Sequence, residues 1–328
     1  MKTAKVVLIG GGTGSYTILN DLKNLSVEIS AIVNMSDDGG STGILRDELG
    51  VLPPGDVRQC LVALSSKPEI REMFSYRFGK GSLKGHSLGN IILSGLSLRY
   101  NNFAKAVSVA SDILNIKGRV LPSTLENNTL CLRDGGKIII SQIKIENHKF
   151  KNNEVELFYS EPVPTINPEA KTAISEADLI VIAPGNFFIS ILPVLIIKGM
   201  AQEIKKSKAK VLTITNLFSR SSQTPGWSVT DYLNKIEGII GPNRVNFCLY
   251  NDSLPDKKLL KQYALEDEFP VNFNKEEFKK YPKTKFIGDN LISSKINFQN
   301  PNDNLPRTLI RHDGKKVSNQ IEKIIPKL

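Results

Sequence analysis

Apolar residues fall along this chain in short unbroken runs, and between the runs they recur at the three- and four-residue spacing of amphipathic helices. The runs are Val6-Val7-Leu8-Ile9, about Glu28 to Asn34, Asp178 to Ala183, Val211 to Thr215 and Val245 to Tyr250. The first two are apolar and β-branched, as expected of strands buried on both faces. Helical spacing follows the glycines after Ile9 as far as Leu25, and continues through Arg58, Leu61 and Leu64, from Pro68 to Phe78, and through Ile91, Leu93 and Leu96. From Asn102 to Asn115 the stripe is Phe103, Val107, Ala110 and Leu114. Further helices are predicted at Pro168 to Ala177, up to Lys206 with a break at Pro193, from Ser228 or Thr230 to Glu237, and through Val317, Ile321 and Ile324. This alternation predicts an α/β fold: a Rossmann-like, doubly wound parallel sheet with helices on both faces.

One stretch breaks the pattern. From Thr129 to Glu146 apolar and polar residues alternate around the turn Asp134-Gly135-Gly136, which predicts a small antiparallel insertion at about 125–160, extended by Val155 to Tyr159. The α/β pattern resumes after it, so residues 1–328 read as one domain. Thr308 to Asp313 reads as a short strand, and Asp256 to Ile292, rich in lysine and turns, has no assigned pattern.

Composition narrows the classes. With 40% hydrophobic and 23% charged residues among 328, the chain can bury a core without staples. Cys60, Cys131 and Cys248 are odd in number, far apart and in apolar surroundings, which fits reduced core thiols. Phe187 to Met200, the longest apolar stretch, falls short of the roughly 20 residues that span a bilayer. The first strand begins too early to leave room for a signal peptide, so a cytoplasmic protein without membrane insertion is expected. The net charge of +10 is spread over helical faces, as at Lys205-Lys206 and Lys257-Lys258. No basic stripe interleaved with aromatics appears, and nucleic acid is not expected as a partner.

Ligands of doubly wound sheets bind beyond the carboxyl ends of the strands. The polar residues that follow strands here are Gly10 to Ser15, Asn34 to Ser41, Pro184 to Ser190, Asn216 to Gly226, Asn251-Asp252 and Arg311 to Asp313. Gly11, Gly12, Thr13, Gly14 and Ser15 open a helix, where backbone N–H groups and the helix dipole hold phosphate. The loop lacks the Walker lysine and has Ser15 where a dinucleotide fingerprint has its third glycine. Asp37 and Asp38 follow the second strand, a place suited either to ribose hydroxyls or to Mg²⁺, and nothing in the sequence separates the two. His86 with Ser87 and Asn90 at a helix start, Asn186, Asn216 and Arg311 are further ligand-binding candidates. Asp56 reads as a helix N-cap, with Arg58 as its partner or as a ligand contact, and His148 as a solvated residue in a Lys- and Asn-rich stretch. No catalytic residue is assigned.

Taken in order, Gly10-Gly11-Gly12-Thr13-Gly14, Asp37 to Gly43, Pro53 to Leu64, Gly85 to Asn90, Gly118 to Pro122, Ala177 to Val181 and Ile310 to Asp313 resemble the CofD/YvcK-like family, most closely its YvcK branch, the gluconeogenesis factors. The resemblance implies a cytoplasmic regulator that binds a nucleotide-sugar such as UDP-N-acetylglucosamine, linked to gluconeogenic carbon use, cell-wall growth and cell shape, with room for a homodimer. It attaches no catalysed reaction to this branch. The alternative is a Mg²⁺-dependent transferase related to 2-phospho-L-lactate transferase, in which Asp37 and Asp38 would hold the metal; no other cofactor is implied. Departures from the family pattern gather in the second half. They include Asn186 and Ile189 where hydroxyl residues are usual, Tyr232 in place of His, and Gly314 in place of Thr.

Overall fold

The computed structural model describes residues 3–151, 154–295 and 309–328. Twelve strands occur among them. They are β1 (Ala4–Gly10), β2 (Val27–Val33), β3 (Arg119–Pro122), β4 (Leu130–Asp134), β5 (Lys137–Ile140), β6 (Glu156–Tyr159), β7 (Leu179–Ile182), β8 (Lys210–Ile214), β9 (Phe218–Arg220), β10 (Phe247–Asn251), β11 (Glu268–Pro270) and β12 (Lys285–Asp289). Seven form one sheet in the order β12-β10-β8-β7-β1-β2-β3, and every pairing in it is parallel. The α/β doubly wound expectation holds. Strand order runs outward through β2 and β3, then reverses across β1 to β7, which makes the β1/β7 gap the switch point where such sheets bind ligands.

The apolar runs explain why this sheet is buried twice. Val7 and Ile9 of β1 enter one core with Ile180 and Ile182 of β7, while Val6 and Leu8 enter the opposite core with Leu179 and Val181. Each such side chain stabilises the fold by roughly 2 kcal/mol through the apolar area it removes from water. The register pairs Gly10 with Val33 and Ile9 with Ile182, so the loops that follow β1, β2 and β7 leave from one edge.

The antiparallel excursion is a three-stranded sheet in the order β5-β4-β6. Gly135 (φ +54°) and Gly136 (φ +85°) make its tight turn in left-handed backbone that glycine adopts without strain. This lobe folds back over the main sheet. Its Phe150 amide donates to the Ser222 carbonyl at 2.8 Å, and the Phe150 ring meets Phe188 edge to face at 4.7 Å.

Several expectations are corrected. The helix begins two residues earlier than a cap at Asp56 would place it, at Gly55, and has no side-chain cap; Asp56 lies in its first turn. The break after Phe187 falls over residues 196–199, ending at Gly199 (φ +98°), instead of at Pro193, because Pro193 occupies the first turn of Leu192–Leu195, where a missing N–H leaves no bond unmade. Thr308 lies outside the described residues, and from Leu309 to Asp313 there is no strand, only one bridge between His312 and Ile292. His148 is not solvated: its Nε2 sits 2.8 Å from Oδ2 of the fully buried Asp134. The unassigned region contains the edge strand β12, whose sequence Lys-Phe-Ile-Gly-Asp is too short and too polar to stand out. Among the described residues no helix is long and apolar enough to cross a membrane.

Candidate functional site

A cavity of about 290 Å³ opens at the switch point, walled by the loops after β1, β2, β7 and β8, by the insertion and by the segment before the last helix. Its floor is the glycine loop. Gly11 ends the extended chain (φ −149°), and Gly12 turns into helix α1 (Gly12–Leu22) with φ +55°. Gly11, Gly12, Thr13 and Gly14 all line the cavity, and α1 carries no acid in its first turn. The positive end of the helix dipole there favours an anion. Gly14 is required by contact: a Cβ would strike the Pro184 carbonyl. Ser15 is different, since its buried hydroxyl turns back toward Gly10 and does not line the cavity.

The acid pair divides. Asp37 lines the cavity and accepts from the Gly39 amide at 3.0 Å. Asp38 does not line it; its two oxygens accept from the amides of Gln142 at 2.8 Å and Ile143 at 2.9 Å, in the insertion. A second cavity carboxylate is Asp56, whose side chain lies against Gly11 and Gly12. The positive end of α1 favours a carboxylate in that place. Among the described residues no group of three or more His, Cys, Asp or Glu could hold a metal ion.

The loop after β7 supplies Asn186, and both ends of its carboxamide are sealed from solvent without a hydrogen-bond partner while the residue lines the cavity. Asn216, at the end of β8, holds that loop in place: its Nδ2 donates to the Gly185 carbonyl at 2.9 Å and its Oδ1 accepts from the Gly185 amide at 3.3 Å. Beyond Asn186 the chain enters a π-helix, Phe187–Ile191, whose Ile189 carbonyl accepts from Asn34 at 3.1 Å. One-turn π segments of this kind are frequent at functional sites.

The wall beyond is charged and aromatic. Arg220 Nε lies 2.7 Å from Glu268, and burial holds the Glu268 carboxyl above its ordinary range even beside that guanidinium. Phe218 stacks on Tyr263 at 4.3 Å, and the Tyr263 hydroxyl accepts from the Ile310 amide at 2.7 Å, fixing the segment that carries Arg311 and His312. Arg311 lines the cavity. His312 donates from Nε2 to the Thr215 carbonyl at 3.1 Å, and burial lowers its pKa to about 4, so it is neutral at physiological pH.

Arg58, His86, Ser87 and Asn90 are brought together, but behind the wall. Arg58 Nε donates to Asn90 Oδ1 at 2.9 Å, Asn90 Nδ2 donates to Ser41 Oγ at 3.2 Å, and Ser41 Oγ is 3.0 Å from His86 Nδ1. Ser87 caps its helix by accepting from the Asn90 amide. The network buttresses the start of the helix Gly40–Leu49, just beyond Asp37. Of the candidates from sequence, Gly11 to Gly14, Asp37, Asn186, Asn216 and Arg311 therefore meet at the cavity; Ser15, Asp38, Arg58, His86, Ser87 and Asn90 do not line it.

Asp56, Gln142, Ile143, Glu146, Phe218, Arg220, Gln223, Tyr263 and Glu268 also line the cavity, and sequence reasoning did not select them. For Gln142, Ile143 and Glu146 no linear signal exists, because the insertion reaches the site only by folding over it. Arg220, Gln223 and Thr224 lay inside a strand-end loop that the carboxyl-end rule had marked as a whole.

Fold and cavity define a class: a doubly wound α/β protein whose glycine loop lines a cavity at the switch point. The family model described as 2-phospho-L-lactate transferase CofD matches residues 6–292, and the chain belongs to that family. It is 36% identical over 326 residues to the gluconeogenesis factor of Halalkalibacterium halodurans, covering 98% of this chain and 96% of that protein. It is 35% identical over 318 residues to the gluconeogenesis factor of Bacillus subtilis, covering 96% of each. A crystal structure of a UPF0052 family member from Bacillus halodurans superposes with a TM-score of 0.88 at 34% identity, over 98% of this chain and 99% of that one.

Proposed function

We propose that this protein is a nucleotide-sugar-binding regulator of the gluconeogenesis-factor kind, working in the cytoplasm and tied to carbon use and cell-wall growth. The observation that carries this reading is the pairing of the glycine loop with Asn186 in one cavity. The loop offers amides to a diphosphate but no lysine to a transferring phosphoryl group, which suits holding a ligand more than phosphoryl transfer. A carboxamide with neither end satisfied costs folding free energy on the order of 1–3 kcal/mol for each buried unpaired group, and a polar ligand offsets it. Arg311 is the cation for the phosphates, Asn216 keeps the Asn186 loop in register, and Phe218 offers a face for a base.

Titration calorimetry with UDP-N-acetylglucosamine, UDP-glucose, UDP and NAD tests the proposal. Binding of a UDP-sugar is the expected outcome, and silence toward every nucleotide-sugar at millimolar ligand sinks it.

One observation favours a second reading. Asp37 and Asp56 are both cavity carboxylates beside the glycine loop, and a diphosphate would meet them more readily with a cation between. Mg²⁺ needs only one or two carboxylates when phosphate oxygens and waters complete its shell. Under this reading Asp37 and Asp56 hold the metal, which neutralises the diphosphate, and the protein is a transferase. Product formation from a nucleotide-activated donor, lost in Asp37→Asn with ligand binding retained, would support it.

A further inference from the structure

Gln142 opens the short helix Gln142–Glu146 of the insertion and lines the cavity. The residue is only 8% exposed, and its Oε1 is sealed from solvent with no donor. Its backbone, and that of the turn it opens, is held by side chains from two other segments. Asp38 accepts from the Gln142 and Ile143 amides, and Gln223 Nε2 donates to the Ile145 carbonyl at 2.9 Å. The lobe behind is anchored by the Phe150 amide on Ser222 and by Asp134, which accepts from the Lys151 amide at 3.0 Å. A residue whose backbone is fixed in this way while its buried side-chain acceptor stays unsatisfied is a binding group awaiting its donor.

We infer that Gln142 is a specificity-determining residue that accepts a hydrogen bond from a hydroxyl or amide N–H on the sugar of the bound nucleotide-sugar, and that Asp38 is the residue that positions it. This rests on the nucleotide-sugar reading above and names its discriminating contact. The glycine loop holds the diphosphate whatever is attached to it, so UDP and a UDP-sugar share that part of the site. Gln142 acts only on what lies beyond the diphosphate. A terminal carboxamide turns readily between its two broad wells, so Oε1 reaches the cavity without moving the backbone.

The test is the ratio of UDP-sugar to UDP affinity, measured by calorimetry in the full chain. In Gln142→Leu, close in volume but without an acceptor, UDP-N-acetylglucosamine affinity should fall about tenfold while UDP affinity stays within about twofold. Asp38→Asn, which places an N–H donor where two amides already point, should lower the same ratio, a readout that general loosening of the fold would not move. Unliganded Gln142→Leu should melt no lower than the wild type, because an unsatisfied acceptor is removed. An unchanged UDP-sugar affinity in Gln142→Leu, or an equal loss for UDP, overturns the assignment while leaving the nucleotide-sugar reading intact. Failure of the wild type to bind either compound overturns that reading and this assignment with it.

Discussion

A methyl group on Gly14 would strike the Pro184 carbonyl, which belongs to the loop that carries Asn186. Backbone cannot swing aside as a flexible side chain can, so Gly14→Ala should destabilise the fold by about 1–3 kcal/mol, read from urea unfolding, and weaken UDP-sugar binding by displacing the loop. His312 sets a pH limit. Its folded pKa is lowered from 6.5 to about 4 by burial, so below pH 6.5 the unfolded chain takes up a proton that the fold resists. This contribution is complete above pH 6.5 and is lost as pH falls toward 4, to an extent of about 3 kcal/mol. Urea midpoints of the wild type should drop across that window, and His312→Gln should flatten the drop. Gly314 shows how a departure from the family pattern can be accommodated. A Cβ there would meet Asp21 and the Thr17 carbonyl of α1, so glycine lets the last helix, Gly314–Ile324, lie close to α1.

Among the elements, the helices were the most legible. Phe103–Leu114 coincides with its predicted stripe because one face is buried along its whole length. The helix Val229–Ile240 has a capping box between Ser228 and Asp231 and no residue on the cavity wall. Ser228→Ala should therefore cost about 1 kcal/mol in urea unfolding while leaving UDP-sugar affinity unchanged. The helix Gly40–Leu49 was not foreseen, since Asp37-Asp38-Gly39-Gly40-Ser41 reads as a turn; its start is stabilised by the distant network of Ser41, His86, Asn90 and Arg58. Local pattern carries no trace of such partners. The edge strand β12 escaped for a related reason: it pairs only with β10, and with none of its residues buried it needs no long apolar run.

At the scale of the whole molecule, a ligand that bridges the glycine loop, the β7 and β8 loops and the insertion should stabilise the folded chain as a unit. At a concentration 100 times its Kd, a UDP-sugar should add about 2.7 kcal/mol to the unfolding free energy, visible as a higher urea midpoint. The net charge of +10 favours an anionic ligand at long range, so affinity should fall as sodium chloride rises from about 0.05 to 0.5 M, where the Debye length shrinks below the size of the cavity. An affinity indifferent to salt would argue that only close contacts matter.

The layered α/β build, and the edge of the sheet at which the cavity lies, were decided by the sequence alone. Hydrophobic periodicity records which faces are buried, and a strand that runs into glycines and then a helix presents its amides there by local geometry. Tertiary structure alone decided which of two adjacent acids, Asp37 and Asp38, faces the cavity. Neighbouring side chains of an extended segment diverge, and the direction each takes depends on what packs beside it. Here the amides of Gln142 and Ile143, more than a hundred residues along the chain, claim Asp38 and leave Asp37 at the site.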